Sequence, residues 1–207
     1  MPIETYLAFI LASAVLCVIP GPTVLVVVSY ALAQGRRSAW STVIGVSLGN
    51  VVAITLCFLG LGAVLWTSAT AFSALKWIGA AYLVCLGIRQ WRSPPEGFGD
   101  ESVPGRSARR VLLHVFLVTA LNPKGIVFYL AYLPQFVQPQ APLLPQLVLL
   151  GGTFIVLAAL NAGGYAMLAG SLRAALARPG AGRALNRIGG GLLIGAGAST
   201  ALLRQTS

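Results

Sequence analysis

Gly125 to Leu172 reads GIVFYLAYLPQFVQPQAPLLPQLVLLGGTFIVLAALNAGGYAMLAGSL, 48 residues without a charged side chain. A helix needs about 20 consecutive apolar residues to cross the hydrocarbon core of a bilayer. The stretch is too long for one crossing and too apolar for a soluble domain. It breaks where Pro134, Pro139, Pro142 and Pro145 crowd together, because proline lacks the N–H a helix needs and clashes with the preceding turn. Two similar runs come earlier: Thr5 to Gln34 over 30 residues, and Ser38 to Leu75 over 38. The longer of these breaks at Thr67-Ser68-Ala69-Thr70. Six spans result, at 6–32, 40–66, 70–88, 111–133, 146–169 and 186–203. The runs are continuously apolar rather than alternating, which excludes a transmembrane barrel. The expected class is an all-α integral membrane protein.

Composition excludes the other classes. Only 9% of the 207 residues are charged, against roughly 25% in soluble domains, and mean hydropathy is +0.85. Cys17, Cys57 and Cys85 are isolated within apolar runs, which is not a disulfide framework. The first run lacks a basic leader and is too long for a cleaved signal peptide. The net charge of +10 would suit a nucleic-acid partner, but the placement of the arginines argues otherwise. Arg36 and Arg37 fall in the first loop. Arg89, Arg92, Arg106, Arg109 and Arg110 fall in or beside the third, and Arg173, Arg178, Arg183 and Arg187 in or beside the fifth. Basic residues collect on cytoplasmic loops. The odd loops are therefore read as cytoplasmic, both termini as outside, and no nucleic acid is implied. Residues 93–110, with Pro94, Pro95, Glu96, Asp100 and Glu101, read as a cytoplasmic linker between a half at 1–92 and a half at 111–207.

The halves resemble each other. Ile78-Gly79-Ala80-Ala81-Tyr82 in the third span matches Ile188-Gly189-Gly190-Gly191-Leu192 in the sixth. Pro20-Gly21-Pro22, followed by a run ending Tyr30-Ala31-Leu32, matches Asn122-Pro123, followed by a run ending Ala131-Tyr132-Leu133. Each half has three spans, so the second enters the membrane inverted. Inverted halves with broken helices in corresponding positions mark a transporter whose binding site lies at the breaks.

Gly21-Pro22 and Asn122-Pro123 each read as a helix cap followed by proline at the first helical position, Asn122 being the better cap. Each starts a half-helix inside the membrane, whose N–H groups and positive dipole end suit an anion such as a carboxylate. Taken singly, either motif also fits a simple kink. Lys124 lies beside the second break, where a buried charge costs roughly 2.5–3.5 kcal/mol. The four acids are Glu4, Glu96, Asp100 and Glu101, and none falls inside a span. Backbone carbonyls, water or an anionic ligand remain as its partners. The reading taken is that Lys124 and the two half-helix ends receive a substrate carboxylate. Asn50 and Asn161, inside the second and fifth spans, fit either cross-helix bonding or substrate contact. Gly45 and Gly49, with Ser41 and Ala53, make a face that lets another helix approach closely. His114, the sole histidine, suits an interfacial role. Phe128, Tyr129, Tyr132, Phe136 and Trp66 fit either a lipid interface or a pathway. Paired intramembrane acids, a Ser–His pair and metal-ligand spacing are all missing, so neither an enzyme, a metal nor a cofactor is expected.

Together these motifs resemble the RhtB/LysE family of bacterial amino-acid exporters. The resemblance is carried by Pro20-Gly21-Pro22, by Gly35-Arg36-Arg37 with Gly45 and Gly49, by Leu121-Asn122-Pro123-Lys124 running to Leu133-Pro134-Gln135-Phe136, and by the glycine-rich stretch from Gly189. It implies a six-span inner-membrane exporter of amino acids, driven by protons and often oligomeric. Many members carry an acid where this chain has Asn50. That departure favours a neutral cargo of the threonine, homoserine, leucine or cysteine type over a basic one, and leaves the proton carrier unassigned. The alternatives are an accessory membrane protein or an exporter of another small carboxylate metabolite.

Overall fold

The computed structural model describes residues 1–67, 69–93, 106–138, 141–176 and 180–202. Most of the expected linker, with Glu96, Asp100 and Glu101, lies outside these residues, as do Ser68 and Pro139. Among the described residues every regular element is helical. The elements are α1 (Ile3–Val18), α2 (Pro22–Gln34), α3 (Ser38–Thr67), α4 (Ala69–Arg92), α5 (Ala108–Ala120), α6 (Pro123–Val127), α7 (Leu143–Leu176) and α8 (Ala181–Leu202). A π-turn (Phe128–Tyr132) and a 3-10 turn (Leu133–Phe136) extend α6.

Helix falls on all six expected stretches. By length and apolarity, the run Pro22–Gly60 and the helix Leu143–Ser171 are each able to cross a bilayer, and Ala108–Ala120 with Pro123–Leu130 makes a third if that pair, bent by 42°, is one span. The first expected span is two helices, because Pro20 and Pro22 interrupt the hydrogen-bond ladder. Gly35, at φ +68°, ends α2 in a conformation that side chains rarely adopt. The chain then turns through Gly35–Arg37, and Ser38 Oγ donates to the Gly35 carbonyl at 2.9 Å at the start of α3.

Side-chain registers fix the helix directions. Tyr6 meets Thr153 and Tyr165 reaches Val18, so α1 runs parallel to α7. Gly163 faces Val43 and Gly151 faces Ile54, so α3 runs antiparallel to α7. Tyr30 meets His114 and Thr23 meets Thr119, so α2 runs antiparallel to α5.

Glycine sets the closest approaches. A Cβ on Gly45 would lie 2.8 Å from the Leu112 carbonyl, and one on Gly49 would lie 2.9 Å from that of Phe116. The small-residue face of α3 therefore seats α5. Likewise, a Cβ on Gly87 would lie 2.6 Å from the Gly190 carbonyl, where α4 packs on α8. The interior between these helices holds Phe9, Tyr30, Tyr129 and Leu150, while Leu11, Trp40, Leu160 and Met167 face outward. A surface of large apolar side chains is what lipid, rather than water, favours.

Candidate substrate site at the facing helix breaks

The first break leaves a row of carbonyls without their helical donors. In an unbroken helix the Leu16 and Val18 carbonyls would accept from residues 20 and 22, but both are proline and have no N–H. In a membrane interior such groups must be satisfied by protein. Here side chains from three other helices do so, carbonyl by carbonyl. Lys124 Nζ donates to Leu16 at 3.1 Å and to Ile19 at 2.8 Å. Asn161 Nδ2 donates to Cys17 at 2.9 Å, Tyr165 Oη to Val18 at 2.6 Å, and Gln90 Nε2 to Pro20 at 3.4 Å. The Lys124 ammonium thus sits at the negative end of α1, where a cation is favoured.

The second break is closed differently. Asn122 Oδ1 accepts the Lys124 backbone N–H at 3.1 Å, capping α6 from within, and its Nδ2 donates to Thr23 Oγ1 at 3.1 Å. Thr119 Oγ1 approaches the same hydroxyl at 3.4 Å. The two breaks are therefore tied to each other. At α2, Gly21 is the cap position and offers no side-chain bond, so the first-turn N–H groups of Thr23 and Val24 lack a side-chain partner.

A cavity of about 80 Å³ opens between the breaks. A site needs roughly 10–15 Å³ to hold one water, so there is room for several waters or one small molecule. Of the sequence-predicted residues, Gly21, Asn50, Asn122, Lys124 and Asn161 line it. Pro20, Pro22 and Pro123 shape the backbone of the breaks instead. Both asparagines make cross-helix bonds as well as lining the cavity: Asn50 Oδ1 accepts from Tyr129 Oη at 2.7 Å, and Asn161 holds Cys17. Lys124 is 8% exposed, and no carboxylate lines the cavity among the described residues.

Thr23, Thr119, Tyr129, Tyr165 and Gln90 were not singled out as site residues from sequence. Thr23 and Thr119 flank the two breaks, which is a signal that was available. Tyr165 and Gln90 carried none, being distant in sequence from the carbonyls they cap. Phe128 and Tyr129 prove to be interior, and Phe128, Tyr132 and Phe136 form consecutive ring contacts. The Trp66 side chain lies outside the described residues. His114 Nδ1 meets Tyr30 Oη at 2.8 Å, and Arg106 donates to the same hydroxyl at 3.3 Å. No group of metal-ligating residues occurs among the described residues.

Apolar helices broken around an interior cavity that carries a few polar groups and a lysine fit a membrane carrier. Residues 14–204 match the model of the LysE type translocator family, and the chain belongs to that family. It is accordingly a membrane transporter rather than an enzyme. The homoserine/homoserine lactone efflux protein of Salmonella typhi is 36% identical over 205 residues, covering 99% of this chain and 100% of the relative. A membrane protein of Vibrio cholerae is 34% identical over 95% of this chain and 96% of its own length. The leucine efflux protein of Klebsiella pneumoniae is 26% identical over 66% of this chain and 65% of its own. No solved structure matches significantly.

Proposed function

We propose that this protein exports a neutral amino acid or a close derivative from the bacterial cytoplasm, in exchange for protons. Six spans in two inverted halves, with both termini outside, would rock about the paired breaks to open the cavity to one side and then the other. The observation that carries this reading is the cavity itself. It combines a helix N-terminus at Thr23 and Val24 that has no side-chain cap, a buried lysine and, among the described residues, no lining carboxylate. A cargo carboxylate would meet Lys124 and the α2 N-terminus. A basic cargo would bring excess positive charge beside Lys124 with no acid to balance it, which favours a neutral zwitterion. The cargoes in the relatives' names, homoserine, its lactone and leucine, have an amino group in common, whereas the lactone has no free carboxylate. Homoserine-type cargo is therefore the first to test.

The test is efflux from proteoliposomes preloaded with labelled amino acids, with and without an imposed proton gradient, comparing the native protein with Lys124→Ala and Lys124→Gln. Gradient-stimulated efflux of neutral amino acids, lost in both variants, supports the reading. Normal transport by both variants eliminates the role given to Lys124. Efflux of basic amino acids instead contradicts the assignment of Asn50. Transport of no amino acid moves the cargo to another small carboxylate or leaves the chain an accessory protein.

A further inference from the structure

The break in the first span has two ends of opposite polarity, and they border one cavity. The α1 end brings Leu16 and Ile19 to it, whose carbonyl oxygens accept from Lys124 Nζ; the α2 end brings Thr23 and Val24, whose first-turn N–H groups have no side-chain cap. Helix dipoles reinforce both, negative at the end of α1 and positive at the start of α2. A ligand bearing an ammonium beside a carboxylate would match the pair. In the structure the ammonium position is already filled by Lys124 Nζ, at 3.1 Å and 2.8 Å from the two carbonyls. That same nitrogen lies near the cap of α2, 3.8 Å from where a Cβ on Gly21 would be. It therefore stands at the junction of the two ends rather than to one side.

The other carbonyl caps differ in kind. Asn161 and Tyr165 are neutral donors from the long helix α7, and each serves one carbonyl. Lys124 alone brings a full charge, serves two carbonyls at once, and does so from the five-residue helix of the opposite break. Its flexible four-carbon stem lets Nζ change partners without moving the helix. Two of its three N–H groups are used, so leaving the carbonyls would require another partner for the charge. A bound carboxylate would be that partner.

We propose that the Leu16 and Ile19 carbonyls form the receptor for the cargo's ammonium group, and that Lys124 Nζ occupies this receptor only while cargo is absent. When cargo binds, its ammonium replaces Nζ on the carbonyls and Lys124 turns to the cargo carboxylate. Total charge in the cavity rises by none, because the cargo is a zwitterion, and no carbonyl is left without a donor. The proposal deepens the amino-acid efflux reading above and rests on it.

Two sets of measurements test it on the full chain. In proteoliposomes containing the native protein, exchange of labelled homoserine is challenged with 3-aminopropan-1-ol, which keeps the amine and lacks the carboxylate, and with 2,4-dihydroxybutanoate, which keeps the carboxylate and lacks the amine. On the native protein each is expected to be at least about tenfold weaker than homoserine, because the amine displaces the Lys124 ammonium without giving it a carboxylate and the hydroxy acid offers no ammonium to take its place. Inhibition by the hydroxy acid as strong as by homoserine overturns the proposal. In detergent, n-propylammonium, but not 1-propanol, is expected to raise the melting temperature of Lys124→Ala and to weaken homoserine binding to that variant by about tenfold. Stabilisation by propylammonium without any weakening of homoserine binding reduces Lys124 to a structural cap and overturns the proposal. Should Lys124→Ala not fold, Lys124→Gln takes its place, and the inhibitor pair on the native protein decides. If the native protein neither binds nor exchanges any amino acid while propylammonium still rescues the variant, the efflux reading falls and the cation site remains. If propylammonium does not rescue either, the site falls too.

Discussion

At the second break Asn122 folds its side-chain oxygen back onto the Lys124 N–H and spends its nitrogen on Thr23; at the first, Gly21 has no side chain to spend. Both breaks pair a cap position with a proline at the first helical position, and yet one is a closed joint and the other an open socket. The difference lies in one residue. An asparagine cap satisfies the half-helix internally. A glycine cap leaves the first-turn N–H groups to whatever enters the cavity. On the carbonyl side the contrast runs the same way. The α1 end needs five bonds from three other helices, whereas the α5 end is closed locally, with Leu121 and Asn122 donating to the Leu117 and Thr119 carbonyls. The closed break braces the open one, and Lys124 is the side chain that spans them.

Removing that span should have the largest effect. Lys124→Ala leaves the Leu16 and Ile19 carbonyls without a side-chain donor, at up to about 1–3 kcal/mol each, and should lower the melting temperature as well as end exchange. A variant that melts and transports like the native chain would dissolve the link drawn between the breaks. Asn122→Ala opens the second break as the first is open. It should cost about 1–2 kcal/mol through the lost cap, visible in thermal melting, and should loosen Thr23.

Gly21→Asn makes the converse change and closes the first break. The backbone there is extended, at φ −145° and ψ −173°, and a Cβ would lie 3.6 Å from the nearest atom, Lys124 Cδ, an ordinary contact. Stability should hold or rise by a few tenths of a kcal/mol, while the KM for exchange should increase about tenfold as the new cap competes with the cargo. Unchanged KM would show that the α2 N-terminus is not part of the site. The smallest effect is expected from Tyr165→Phe, which removes only the bond to the Val18 carbonyl, about 1 kcal/mol in a melt, and should leave cargo preference as it was.

Much of this was legible in the residues. Charge-free runs gave the helices, prolines gave the breaks, and Gly45 and Gly49 gave the close approach of α3 and α5. Lys124 was conspicuous because no acid lies within any span, and carbonyls were among the partners its sequence context allowed. The two Asn residues were legible as polar groups in apolar helices, though their bonds to Tyr129 and Cys17 were not.

Local chemistry accounts for that division. Apolar run length, proline's missing N–H and the capping ability of Asn122 all act within a turn or two of their own position, so the sequence alone determined an all-helical membrane chain with two breaks and a lysine beside the second. Which donor meets which orphaned carbonyl was decided only by tertiary structure. The partners stand 105 to 147 residues apart in the chain where Lys124 meets Ile19 and Tyr165 meets Val18. Nothing local specifies such pairs. They follow from helix directions and packing registers, and those also place a cavity against the open cap at Gly21.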